Sequence, residues 1–215
     1  MCCRYYVDEL AEREAFELAD LIDAGMQARG AGQKDPLISA SMQEPDRHPS
    51  DRHPSDMACV LYGNEGKLHA GQMRWGFPSY RSGNLMINAR CESALQKPMF
   101  SDSVMRRRCV IPASGFYEWD RDKNKVTFRL PDEPCMFLAG FYNLFDAQPR
   151  YIILTTQANE SMAPVHDRMP LILPKNEIAD WIYEPGKTQE YLRSASPRLQ
   201  RSQEYEQLRL LLEEM

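Results

Sequence analysis

The run CVIPASGFYEW, residues 109–119, decides how the rest of the chain is read. Its β-branched and aromatic residues, bounded by turn-forming neighbours, read as strand. One charge interrupts the run: Glu118 points away from the face shared by Tyr117 and Trp119, because neighbours in a strand alternate. Downstream, VTFRL (126–130), CMFLAGFYNLF (135–145) and YIILTTQA (151–158) are runs of the same kind, and MPLIL (169–173) is a short one. DRDKNK, PDEP and DAQPR separate them with turn chemistry. Upstream, MACVLY (57–62), NEG and KLHAGQMRWGF (67–77) read as a hairpin, and LMINAR (85–90) as a short strand before a helix start at CESALQ. Helical patterns lie at 8–29, where Leu10, Phe16, Leu18, Leu21 and Ile22 are expected on the covered side, at KNEIADWIY (175–183) and at SQEYEQLRLLLEEM (202–215). Many short strands with few helices predict an α+β fold: one domain over 1–215 with a twisted, largely antiparallel, barrel-like sheet and a few flanking helices. Residues 28–56 form a loop-rich insertion in which DRHPS occurs twice in tandem, and 196–215 is expected to be a C-terminal helix.

At 215 residues and 43% hydrophobic content the chain can bury a real core. It has no apolar run of membrane-spanning length and no basic-then-apolar leader, so a cytoplasmic protein without a membrane partner is expected. In that compartment the six cysteines are expected to be free thiols. There is no CxxC and the four histidines lack zinc spacing, so neither metal nor cofactor is expected. Net charge is −5, yet residues 71–125 hold ten Lys/Arg against five Asp/Glu, a balance of +5 inside an acidic protein. The Arg106–Arg108 triplet taken alone reads as a solvated edge.

Polar residues fall where a core is expected. Asn88 and Arg90 share one face of INAR, His166 and Arg168 share one just before MPLIL, and Glu118 lies inside its apolar run. Buried polar groups are costly unless paired, so these residues either pair structurally or line a pocket. Taken as a set, with Cys2 next to Met1, they favour a site.

The segments MCCRYY, HPSDMACVL, MRWGFP, INARCES, RRRCVIPASGFYEW, FLAGFYN, ILTTQAN and VHDRMPLIL, in that order over residues 1–174, resemble the SOS response-associated peptidase (SRAP) family, whose members bind DNA covalently at abasic sites. The resemblance implies that Cys2 is the nucleophile, Asn88 the amide holding the N-terminal amine, and Glu118 and His166 an acid/base pair. It also implies phosphate or sugar contacts from Arg4, Arg90 and Arg168, and base stacking by Trp75 and Phe77. With Arg74 added, the arginines are expected to line a positive groove for single-stranded DNA. Cys3 departs from the family pattern, standing where glycine is usual, and the duplicated DRHPS alters the loop holding His53 and Pro54.

The chemistry suits the residues. Once Met1 is removed, Cys2 carries an α-amine of pKa about 8 beside a thiol of pKa about 8.5, so both are partly in their nucleophilic forms near neutrality. Two nucleophiles on one residue make the second attack intramolecular. Two other readings stay open: an N-terminal-nucleophile cysteine peptidase or amidase acting on its own N-terminus or on peptides, and a non-catalytic single-strand DNA-binding module. A monomer is expected, with possible lyase-like activity counted within the first reading.

Overall fold

Strand alternation sorts the apolar residues into two cores, and that sorting builds the architecture. The computed structural model describes residues 3–26, 50–79 and 83–203. Its elements in order are β1 (Tyr5–Val7), α1 (Glu9–Met26), β2 (Ser50–Arg52), β3 (Met57–Asn64), β4 (Lys67–Trp75), β5 (Phe77–Pro78), β6 (Leu85–Met86), β7 (Asn88–Arg90), α2 (Cys91–Ala94) and α3 (Pro98–Arg106). There follow β8 (Arg108–Ala113), β9 (Gly115–Trp119), β10 (Lys125–Arg129), β11 (Met136–Phe145), β12 (Gln148–Gln157), β13 (Arg168–Pro170), β14 (Ile172–Leu173), α4 (Ile178–Tyr183), α5 (Thr188–Tyr191) and β15 (Gln200–Gln203).

The hairpin β3–β4 turns at Glu65 and Gly66, both at positive φ (53° and 75°), as a tight two-residue turn requires. Strands β12, β4, β3, β8 and β11 pair in turn and β11 returns to β12, closing a five-strand mixed barrel in which only β4–β12 is parallel. Closure leaves these strands without free edges. A second sheet, in the order β15–β10–β9–β1–β2, packs on the barrel. The expected α+β fold with a barrel-like sheet is what forms.

Val60, Cys109, Ile111, Leu138 and Ile153 enter the core shared with Tyr5, Phe116, Val126 and Phe128 of the second sheet. Their neighbours Leu61, Val110, Phe137, Ala139, Ile152 and Leu154 enter the core covered by α1 and Trp181. One-residue alternation thus lets each barrel strand serve two layers.

Several sequence expectations change. Helix α1 buries Ala11, Ala15 and Ala19, whereas Leu10 and Leu21 are 53% and 70% exposed. The i, i+4 alanine stripe lets the helix approach the barrel closely, which a leucine stripe prevents. The helix starts under an N-cap, Asp8 Oδ1 accepting the Ala11 N–H at 3.0 Å, while the Asp8 N–H donates to Ser114 Oγ at 2.7 Å. The insertion contains β2, which spans the junction of the two DRHPS copies (Ser50 ends the first, Asp51 and Arg52 open the second) and is antiparallel to β1; residues 27–49, with His48, lie outside the described residues. The C-terminal helix expected over 196–215 does not start at 196, because Gln200–Gln203 form β15 in a ladder with β10; its remainder, 204–215, lies outside the described residues. The arginine triplet is not a solvated edge throughout. Arg106 and Arg107 do pair with Asp102, but Arg108 is buried. Its guanidinium donates to the Val104 and Met105 carbonyls at the end of α3 and to those of Trp181 and Ile182 in α4.

Candidate active site

Glu118 is 4% exposed and shares the inner face of β9 with fully buried Phe116, while Tyr117 and Trp119 turn to the half-exposed face. Antiparallel pairing of Tyr5 with Phe116 continues as the Tyr117 N–H donates to the Arg4 carbonyl at 3.0 Å, which sets Cys3 across from Glu118. Burial pushes the Cys3 thiol up, and the facing Glu118 carboxylate adds to the effect. Cys3 is therefore held as a neutral thiol. Cys2 lies outside the described residues.

Asn88 opens β7 and pairs in parallel with Ile153 of β12. A row of buried rings ties it to the N-terminal strand. Tyr5 packs at 5.2 Å from Trp75, and the Trp75 indole N–H donates at 3.0 Å to the carbonyl of Ile87, the residue before Asn88. Tyr5 and Tyr151 share a buried 2.7 Å hydroxyl–hydroxyl hydrogen bond beneath the same indole. Ile87 and Val165, the neighbours of Asn88 and His166, both pack on the core that contains Phe116 and Tyr5. The segments bearing Cys3, Asn88, Glu118 and His166 thus border one apolar cluster.

His166 is partly buried, and its Nδ1 lies 2.9 Å from the Arg168 backbone N–H and 2.9 Å from Asp167 Oδ1. Among the arginines, Arg4 sits 5.6 Å over the Trp119 ring and Arg90 is exposed at the end of β7. Arg74 donates to Gln148 Oε1 at 3.1 Å and to the Ser55 carbonyl at 2.7 Å.

Three assigned contacts do not fit their positions. Trp75 and Phe77 are fully buried, one in each core, so neither ring offers a face to a base. Phe77 instead packs among Phe100, Phe141 and Phe145. Arg168 is 8% exposed, with its fork taken up by Glu92. The ring that is half-exposed beside Glu118 is Trp119, and the alternation of GFYEW was the signal for it. Beyond it, Arg129, Tyr6, Tyr117 and Lys125 stack in that order, at 5.1, 5.1 and 3.9 Å, as a closed sandwich. Nothing in the residue pattern singles out Glu92 beyond its place in INARCES.

A closed mixed barrel thus carries a second sheet in which a buried carboxylate faces the N-terminal strand, and a partly buried imidazole borders the same core. Comparison with known proteins agrees at the level of family. The family described as SOS response associated peptidase (SRAP) matches residues 1–210. Abasic site processing protein YoqW of Bacillus subtilis (strain 168) is 34% identical over 172 residues, which cover 73% of this chain and 77% of the relative. Abasic site processing protein HMCES of Xenopus tropicalis is 25% identical over 146 residues, 51% of this chain and 44% of the relative. A crystal structure of a protein from Bordetella bronchiseptica shares the fold, with a TM-score of 0.70 at 22% identity, covering 94% of this chain and 99% of that one. The chain belongs to the SOS response-associated peptidase family.

Proposed function

We propose that this chain acts in the response to DNA damage, processing abasic sites by bonding to them covalently through Cys2 once Met1 is removed. The observation that carries the reading is Glu118: a carboxylate set in an apolar core, across from the N-terminal strand, in a chain related to proteins named for abasic site processing. A buried carboxylate needs a reason, and proton transfer is one.

The ring-opened abasic sugar presents an aldehyde. The α-amine of Cys2 adds to it, and loss of water gives an imine. The Cys2 sulfur then attacks the imine carbon, a C–S bond forms, and the thiol proton passes to nitrogen. The product is a five-membered thiazolidine. Glu118 moves the proton that lets the hydroxyl leave as water, His166 serves the sugar oxygen, and Asn88 orients the amine. Cys3, held neutral, leaves the nucleophilic role to Cys2. Arg4, Arg74 and Arg90 supply phosphate affinity that is indifferent to sequence, and Trp119 takes the stacking role expected of Trp75.

Single-stranded DNA is the favoured form because an aromatic face meets only unpaired bases. The test is denaturing electrophoresis after incubation with a single-stranded abasic oligonucleotide, beside one with the site reduced to the alcohol. The reading expects a gel-stable adduct with the aldehyde alone. Equal salt-sensitive binding to both, with no adduct, makes the chain a binding module instead.

A further inference from the structure

Two side chains unused by the proposed chemistry fix the surroundings of His166. Arg168 is buried, and a guanidinium there needs a partner. Its Nη1 lies 2.6 Å from Glu92 Oε1 and its Nη2 2.9 Å from Glu92 Oε2, a two-pronged pair, while Nη2 also donates to the Thr155 carbonyl. Glu92 belongs to the first turn of α2, directly after the strand that carries Asn88. Thr155 lies on β12 between Arg90 of β7 and Pro170 of β13. One ion pair thus locks β13 to the β7–α2 corner across β12. The Arg168 hydrogen bond, first among the causes, holds the Glu92 carboxyl below the usual carboxylate range, so the pair persists at neutral pH.

With Arg168 fixed, its backbone N–H donates to His166 Nδ1 at 2.9 Å. Asp167 Oδ1 stands at 2.9 Å from the same nitrogen on a side chain 85% exposed. The two contacts are alternatives, because a ring nitrogen either accepts or donates. Accepting from Arg168 leaves the single proton of the neutral ring on Nε2. Turning to Asp167 requires that proton on Nδ1 and makes Nε2 an acceptor.

We propose that Glu92 is a positioning residue for His166: acting through Arg168, it selects the Nε2–H form of the neutral imidazole and so presents a proton donor to the site. The inference rests on the reading of His166 as a proton-transfer group. It gives Arg168 a structural task, and makes Asp167 the competitor that Glu92 suppresses.

The test is nitrogen NMR of His166 in the full chain, at about pH 8 where an ordinary imidazole is neutral. In the parent, Nδ1 is expected to give an acceptor-type signal and Nε2 a protonated one. Glu92→Gln keeps the size but loses the charge, and should move protonation toward Nδ1. Arg168→Lys keeps charge but loses the fork, and should do the same, providing a second route if the first variant folds poorly. Adding Asp167→Ala to Glu92→Gln removes the competing acceptor and should restore the parent signature. Crosslinking to the abasic oligonucleotide should slow by up to about 100-fold in Glu92→Gln and recover in the double variant, as expected for a displaced proton donor. A folded Glu92→Gln or Arg168→Lys with the parent's His166 signature overturns the proposal, even if crosslinking slows. If the parent forms no adduct, the proposed function fails while the NMR signature still decides this inference.

Discussion

Trp75 separates a core role from a DNA-facing one, and Trp75→Phe is the perturbation that tells them apart. The indole is fully buried, packed against Tyr5 and Tyr151, and its N–H donates to the Ile87 carbonyl at 3.0 Å. That carbonyl also accepts the Ile153 N–H at 3.2 Å, so the variant leaves it satisfied and forfeits one hydrogen bond, about 1 kcal/mol net. The missing ring atoms leave a void of roughly 40 Å³, about 1 kcal/mol at ~24 cal/mol per Å³. Their lost transfer from water adds about 1 kcal/mol more. The total of about 3 kcal/mol lowers Tm by roughly 6–12 °C for a chain of this size. The assay is thermal unfolding by near-UV circular dichroism, paired with fluorescence anisotropy on undamaged single-stranded DNA. Affinity for that DNA should be unchanged, while crosslinking slows because Ile87 sets the position of Asn88. An unchanged Tm with weakened DNA affinity would refute the reasoning and return Trp75 to the DNA surface.

Glu118→Gln should slow adduct formation by roughly 10²–10⁴-fold without moving its point of attachment, as loss of a proton-transfer group does; single-turnover gels read the rate, and an undiminished rate removes Glu118 from the mechanism. Gly115→Ala should destabilise the second sheet by about 1–3 kcal/mol, since a Cβ there meets Tyr6 Oη at 2.5 Å and the Phe128 carbonyl oxygen at 2.7 Å; urea midpoints test this, and a neutral result would mean that the Tyr6 clasp yields freely. Burial, with Glu92 second, pushes the Cys91 thiol from its ordinary 9.0 up to about 12. The folded state then keeps a proton that the unfolded chain gives up, so the Cys91 share of stability is complete below pH 9 and is lost as pH rises toward about 12. Urea midpoints over that window should fall less steeply in Cys91→Ala than in the parent, and parallel curves would contradict the assignment.

The barrel was legible because its strands carry strong local signals. CVIPASGFYEW and CMFLAGFYNLF are apolar on both faces since each serves two cores, and Glu65-Gly66 marks its own turn. Less legible was anything decided by partners distant in sequence. Leucines in α1 look like a buried stripe until the barrel wall demands alanine-sized contacts. Residues 200–203 join a sheet because β10 offers an edge, which no local pattern records. In the site, Glu118 stood out as a charge in an apolar strand, and alternation placed it correctly. Trp75 and Phe77 misled because aromatic residues near a basic stretch look alike whether they stack on bases or on Tyr5 and Phe141. Arg168 misled for a related reason: whether a guanidinium meets phosphate or a carboxylate depends on Glu92, seventy-six positions away.

The central claim is that Cys2 joins the abasic sugar through both its amine and its thiol. Mass spectrometry of the N-terminal peptide from the crosslinked complex, run on the parent and on Cys2→Ala, tests it most directly. The account predicts a parent peptide that lacks Met1 and carries the sugar remnant on Cys2 with loss of one water and no free thiol at that residue. Cys2→Ala should then yield only an imine that survives after borohydride reduction. A remnant on an internal lysine, or a Cys2→Ala adduct as durable as the parent's without reduction, would contradict it.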